Sequence, residues 1–222
     1  MSRIGKNPQR HSDQRKRPFR GHAIHPFFQT TDLGSGDARY IERQATRFPL
    51  RKYAAVDLIF EGRHPLKEKL RESGVHVSGK KIIFFLKAMI RAKRKTRHIT
   101  IDMPYPYAGA DQRANTIEFE KEMRNLFELF PKVLFPNGKI FITTEQEGFV
   151  AVLYRLAQEF QFGIRERKPM SKQEALNQTW TTAAMCSEAP IYRVTLTYNL
   201  KKAFPSKSER RKWPYINFPQ VG

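Results

Sequence analysis

Hydrophobic positions in this chain change period several times, and each change marks an element. Residues 27–33 (Phe-Phe-Gln-Thr-Thr-Asp-Leu) have the aromatic and β-branched content of a strand. Ala38, Ile41, Ala45 and Phe48 then recur at helical spacing until Pro49 stops the run. Tyr53–Val56 is short and apolar and closes on Asp57, so the first 30 residues of this pattern predict a βαβ unit. Pro65–Glu72 predicts a helix, with Leu66 and Leu70 one turn apart and Gly74 ending it. Val75-His76-Val77 predicts a third strand before a turn at Ser78-Gly79. Lys81–Lys95 predicts a helix with Ile82, Phe85, Leu86, Met89 and Ile90 on one face, and His98–Asp102 a fourth strand. After a loop at Ala108–Ala114, Ile117–Leu134 predicts a long helix that turns Phe119, Met123, Leu126, Phe127 and Phe130 inward. Pro136-Asn137-Gly138 signals a turn into a fifth strand, Lys139–Thr144, followed by a helix at Phe149–Phe160. Phe162–Lys168 and Ile191–Tyr198 predict a closing antiparallel hairpin, and no internal repeat is present.

The chemistry concentrates in Asp32-Leu33-Gly34-Ser35-Gly36-Asp37-Ala38, between the first strand and the first helix. Gly34 and Gly36 permit a tight turn and a close approach of backbone to ligand. A dinucleotide fingerprint calls for a third glycine where this chain has Arg39, and it sets a pyrophosphate at a helix start where Asp37 repels anions. S-adenosylmethionine (SAM) has no phosphate and carries a sulfonium and an ammonium. Asp32 suits those cations, and Asp57 suits the two ribose hydroxyls. The residues favour SAM.

Composition then narrows the partner. A net charge of +20 over 222 residues, with a pI near 10.3, points to a polyanion, and nucleic acid is the expected one. Residues 1–22 hold seven lysines and arginines against Asp13 alone, with Gly5, Pro8 and Pro18 breaking any helix. This predicts a disordered basic tail that orders on RNA, an inert solvated tail being the alternative. Residues 23–198 form the expected single domain, and 199–222 a basic-aromatic extension around Trp213 and Tyr215. The single cysteine, Cys186, excludes an internal disulfide and fits a reducing compartment. No apolar run approaches membrane-spanning length, so no membrane partner is expected. A cytoplasmic setting is expected, with the mitochondrial matrix left open by the basic N-terminus. The histidines show no metal-ligand spacing, and no metal is expected.

The glycine motif with Asp57 resembles the first two motifs of class I SAM-dependent methyltransferases. That resemblance implies a Rossmann-like α/β fold: a mostly parallel seven-stranded sheet, an antiparallel final strand, and helices on both faces. Within that class, residues 102–162 resemble the tRNA (guanine-N7) methyltransferases. The Phe-Pro-Asp-Pro-Trp segment of that family matches Met103-Pro104-Tyr105-Pro106-Tyr107. Its Thr-Asp at the end of the fifth strand matches Thr144-Glu145, and its late Thr-x-x-Glu matches Thr179-Trp-Thr-Thr182. Three of its carboxylates fall on Ser78, Tyr105 and Thr182 here. A second likeness overlaps the first: Asp102-Met-Pro-Tyr105 resembles the (Asp/Asn)-Pro-Pro-(Tyr/Phe) motif of methyltransferases acting on exocyclic amines. The uridine-N3 methyltransferases of rRNA share a Phe-Pro-containing segment at the same place.

The resemblance implies a cofactor site of Asp32, Gly34, Ser35, Gly36, Asp57, Ser78 and Met103, with SAM as cofactor. It implies catalytic roles for Asp102 and Tyr105 and substrate contacts from Tyr105, Tyr107, Glu145 and Thr179. The expected function is SAM-dependent methylation of a base nitrogen in tRNA or rRNA, free or within a ribosomal particle. The alternative is a methyltransferase fold retired from catalysis and kept as an RNA-binding or ribosome-associated protein. Intact Asp32, Gly34, Gly36 and Asp57 favour the first, and the altered Ser78, Tyr105 and Thr182 the second.

Overall fold

The computed structural model describes residues 27–62, 64–102, 112–177 and 191–198, the side chains of 112–115 and 166–168 excepted. In chain order the elements are β1 (Phe27–Leu33), α1 (Arg39–Arg47), β2 (Tyr53–Val56), a 3₁₀ turn (Leu58–Phe60), α2 (Pro65–Glu72) and β3 (Val75–Ser78). Then come α3 (Ile82–Arg91), β4 (Lys95–Asp102), α4 (Gln112–Phe127), α5 (Phe130–Val133) and β5 (Leu134–Thr144). The series closes with α6 (Glu147–Glu159), β6 (Phe162–Pro169), α7 (Lys172–Leu176) and β7 (Tyr192–Tyr198). The strands make one sheet in the order β3-β2-β1-β4-β5-β7-β6. Neighbours from β3 to β5 are parallel, and β7 is antiparallel to both β5 and β6. The sequence predicts its seven strands, its mostly parallel character and its antiparallel close.

Strand alternation gives the sheet two unlike faces. Leu33, Val56, Ile99, Ile101, Ile140, Ile142, Val194 and Leu196 share one apolar cluster with Leu86 and Met89 of α3, Met123 and Phe127 of α4, and Phe149 and Leu153 of α6. On the other face, Ala38, Ile41, Ala45 and Leu70 cover Tyr53, Ala55, Val75 and Val77. Asp32 has the parity of that second face. In-register pairing sets Asp32 beside Thr100, Asp102 beside Thr143, and Thr143 beside Arg193. The middle of the second face is therefore polar near its carboxyl end.

The largest departures from the pattern fall in four places, each with a local cause. The helix expected over Lys81–Lys95 stops at Arg91, because Lys93 turns left-handed (φ 53°) and Lys95 is already paired with Phe27. β4 accordingly starts three residues before His98. The helix expected over Ile117–Leu134 begins earlier, at Gln112, within the segment expected as loop, and breaks after Phe127. Pro131 restarts it as the short α5, where its missing N–H costs nothing, and Leu134 already belongs to β5. The turn signalled at Pro136-Asn137-Gly138 is a bulge inside β5: the β4–β5 register moves from Thr96↔Leu134 to His98↔Lys139. Gly138 is required there, since a Cβ would lie 2.8 Å from the Phe135 carbonyl oxygen. α7 was not predicted, although Ser171-Lys-Gln-Glu174 is a capping box, with the Ser171 hydroxyl and the Glu174 carboxylate bonded reciprocally to backbone.

Candidate active site

The turn after β1 is tied to the ends of the neighbouring strands through its own amides. Gly34 and Ser35 both donate N–H to the Val56 carbonyl, at 2.8 and 3.2 Å. The Ser35 hydroxyl donates to the Asp32 carbonyl (2.9 Å) and accepts from Val56 N–H (3.0 Å), so it is wholly engaged inside the turn. Gly36 N–H donates to Asp57 Oδ2 at 2.8 Å, and Ile59 N–H to Oδ1 at 3.0 Å. Asp57 is thereby fixed from both sides while remaining partly exposed. Its own N–H bonds the Ser78 carbonyl (3.1 Å), which locks β3 into the same edge. Gly34 and Gly36 sit at φ 73° and 51°, and a Cβ on either would meet nothing within 4 Å. Leu58 and Ile59, just past Asp57, are exposed apolar side chains on the same rim.

Asp32 lies deeper. It is 2% exposed; Oδ1 accepts from the Thr100 hydroxyl at 2.5 Å, and Oδ2 is buried with no hydrogen-bond partner among the described residues. Burial pushes its carboxyl up to about 7, against the Thr100 hydrogen bond and with help from the nearby Asp102 and Asp57 charges. Burial and Asp32 together raise the Tyr40 phenol to about 12, with Arg193 opposing. Along the edge, Asp102 Oδ1 accepts a hydrogen bond from the Thr143 hydroxyl. Beyond it opens a cleft of about 480 Å³, lined among others by Tyr40, Arg43 and Arg47 of α1, Asp102, Glu174 of α7, and Arg193 of β7. Arg43 is held by the Leu176 carbonyl (2.9 Å) and Asn177 Oδ1 (3.3 Å), which joins α1 to the end of α7.

No protein-family description and no curated protein matches the chain. Solved structures do. The 16S rRNA methyltransferase KamB aligns with a TM-score of 0.52 at 14% identity, over 79% of this chain and 88% of KamB. SMU.776, assigned as a methyltransferase and complexed with SAH, gives 0.53 at 14% identity. A protein from Streptococcus mutans assigned to the SAM-dependent methyltransferases gives 0.52 at 15%. The match spans 76% of this chain and 44% of the other for each of these two. The fold is that of a class I methyltransferase.

On that methyltransferase fold the expected residues divide into two groups. Asp32, Gly34, Ser35, Gly36, Asp57 and Ser78 form one hydrogen-bonded rim across β1, β2 and β3. Asp102 and Glu145 stand at the ends of β4 and β5. Glu145 is half-buried with Oε2 unpartnered among the described residues, and burial raises its carboxyl. Met103, Tyr105, Tyr107, Thr179 and Thr182 lie outside the described residues. Four charged cleft residues escaped the sequence reading: Arg43, Arg47, Arg193 and Glu174. Of these, Glu174 had a signal. Ser171-Lys-Gln-Glu174 reads as a capping box at a helix start, and the helix it caps places Glu174 in the lining of the cleft. The arginines had none, because only the packing of α1 and β7 brings them together. Among the described residues no group of three His, Cys, Asp or Glu side chains is placed to hold a metal ion, and no helix is long and apolar enough to cross a membrane.

Proposed function

We propose that this chain is a SAM-dependent RNA methyltransferase acting on a base nitrogen of tRNA or rRNA. The observation that carries the reading is the bond from Gly36 N–H to the Asp57 carboxylate. A pyrophosphate needs the turn amides for itself; here they point to Val56 and Asp57, and a carboxylate occupies the place of an anion. A nucleoside without phosphate fits. The space above Gly34 and Gly36 admits it, Leu58 and Ile59 offer its ring an apolar rim, and the remaining lone pairs of Asp57 accept ribose hydroxyls. The unpartnered Oδ2 of Asp32 suits a cation at the other end. Bound SAM supplies a methyl group on a sulfonium, activated before it arrives. The side chains are then left with alignment and with keeping the accepting nitrogen unsolvated, which needs no catalytic triad.

RNA as the substrate is supported by the +20 charge. KamB, of like fold, is by its name an rRNA methyltransferase. The target nitrogen is read as a ring nitrogen of the guanine-N7 kind, from the Pro104-Tyr105-Pro106-Tyr107 segment and the Thr144-Glu145 strand end. Calorimetric titration with SAM is the first test: Asp57→Ala should weaken binding by roughly 1.5–3 kcal/mol, the worth of a charge-assisted hydrogen bond. Wild-type protein that binds no SAM at millimolar concentration ends the enzyme reading. It would leave the RNA-binding alternative, which the uncharged Ser78 at the β3 end favours. Asp102→Ala separates the chemistries. Loss of turnover with RNA binding intact indicates an exocyclic amine whose proton Asp102 accepts; a raised KM for SAM with turnover largely kept indicates a ring nitrogen. Mass spectrometry of the product RNA locates the methyl group, and a methyl on a ribose oxygen overturns both.

A further inference from the structure

Between Glu72 and Asp102 the chain has eight lysines and arginines and no acid. The structure divides this run between α3 and the start of β4. On α3, Lys81, Phe84, Lys87 and Arg91 fall within about a third of the helix circumference. All four are exposed, and Phe84 is 59% exposed while Phe85, Leu86 and Met89 on the opposite side are buried. Among the described residues no ion pair reaches these three cations, although Glu120 serves both Arg124 and Arg155, and Glu42 serves Lys69. Like charges one turn apart, as Lys87 and Arg91 are, weaken a helix, and among the described residues no ion pair offsets that cost.

We infer that the outward face of α3 is a track for single-stranded RNA: Lys81, Lys87 and Arg91 neutralise successive phosphates, and Phe84 stacks a base between them. The helix begins just after Ser78, at the edge that carries the candidate cofactor rim, and runs to the opposite edge of the sheet. From Lys81 to Arg91 it rises about 15 Å, the length of four to five stacked nucleotides at about 3.4 Å each. RNA following it leaves the methylation edge along the side of the domain, away from the cleft beside Asp102. A membrane surface of anionic lipid fits less well, because α3 buries its apolar face in the core and leaves Phe84 as its one exposed large apolar side chain to insert. The inference shares the RNA partner of the proposed function but none of its methyl-transfer chemistry.

Fluorescence anisotropy of the full chain with a labelled 20-mer of uridine, from 50 to 300 mM salt, tests it. The triple variant K81Q/K87Q/R91Q should lower the slope of log affinity against log salt by about 2, from three contacts at about 0.7 each. Phe84→Ala should weaken binding by about 5- to 150-fold with the slope unchanged. The charge-preserving K81R/K87R/R91K should bind as wild type, and circular dichroism should show all of them folded. The inference is overturned if the triple variant keeps the wild-type affinity and slope, or if Phe84→Ala binds as wild type. It is overturned too if the triple variant loses only its binding to phosphatidylserine vesicles. SAM titration of the same variants separates the two readings: wild-type protein that binds no SAM yet shows these RNA effects removes the methyltransferase and leaves the track.

Discussion

Asp32 keeps its proton to about pH 7, whereas the same carboxyl in an unfolded chain loses it near 3.8. Between those values the folded state binds more protons than the unfolded state, so stability must fall as pH rises from about 4 to about 7. The slope reaches at most about 1.4 kcal/mol per pH unit. Asp32→Asn removes the titrating group, and urea midpoints measured across pH 4–8 should lose that descent. SAM affinity should move oppositely, rising as pH approaches 7, because a bound cation prefers the ionised carboxylate; calorimetry at pH 5.5 and 7.5 checks it. The sequence made Asp32 legible as a strand-end acid beside a glycine turn. Its burial was not legible, since that comes from Thr100, 68 positions away on β4, and from Tyr40 on the covering helix. Ser35 shows the same limit in reverse: its place in the motif suggested a ligand contact, and its hydroxyl is consumed in bracing Asp32 and Val56.

Elements whose pattern rests on their own buried face were readable, and those shaped by their neighbours were not. α2 spans Pro65–Glu72 as its sequence predicts, because Pro65 starts it and Gly74 follows it closely. α3 and α4 ran over or under their expected ends where sheet pairing or Pro131 decided. The 3₁₀ turn at Leu58–Phe60 also depends on a neighbour: a Cβ on Gly79 would lie 2.5 Å from Glu61 N and 2.6 Å from the Phe60 carbonyl carbon. Gly79→Ala must push that turn away from the end of β3, and Asp57 caps the turn through Ile59 N–H. The expected cost is about 1–3 kcal/mol of stability, the usual range for overpacking, read from thermal or urea melts. SAM affinity should fall with it, since Leu58 and Ile59 move.

At the scale of the whole molecule, a charge of +20 repels itself. The surface ion pairs that salt would weaken, such as Lys69–Glu42 and Arg71–Glu68, are each worth little. Screening should therefore raise the melting temperature as salt increases from 50 to 500 mM, with most of the gain before the Debye length drops to about 4–5 Å; differential scanning calorimetry measures this. That the sheet is mostly parallel, has seven strands and closes antiparallel was legible from alternating strands and helices followed by a hairpin; the order of its strands was not. What the hairpin does to the timing of synthesis follows from its geometry. β7, the last strand among the described residues, lies between β5 and β6 and provides the pairing that joins β6 to the sheet. While the ribosome adds the roughly 30 residues after Pro169, at about 5–20 residues per second, β6 and β5 both lack the strand that pairs with them in the finished sheet. For those few seconds the half-built sheet ends in the apolar strand Ile140–Ile142, and the nascent chain depends on its own basic charge, or on a chaperone, to keep that edge from pairing with another copy.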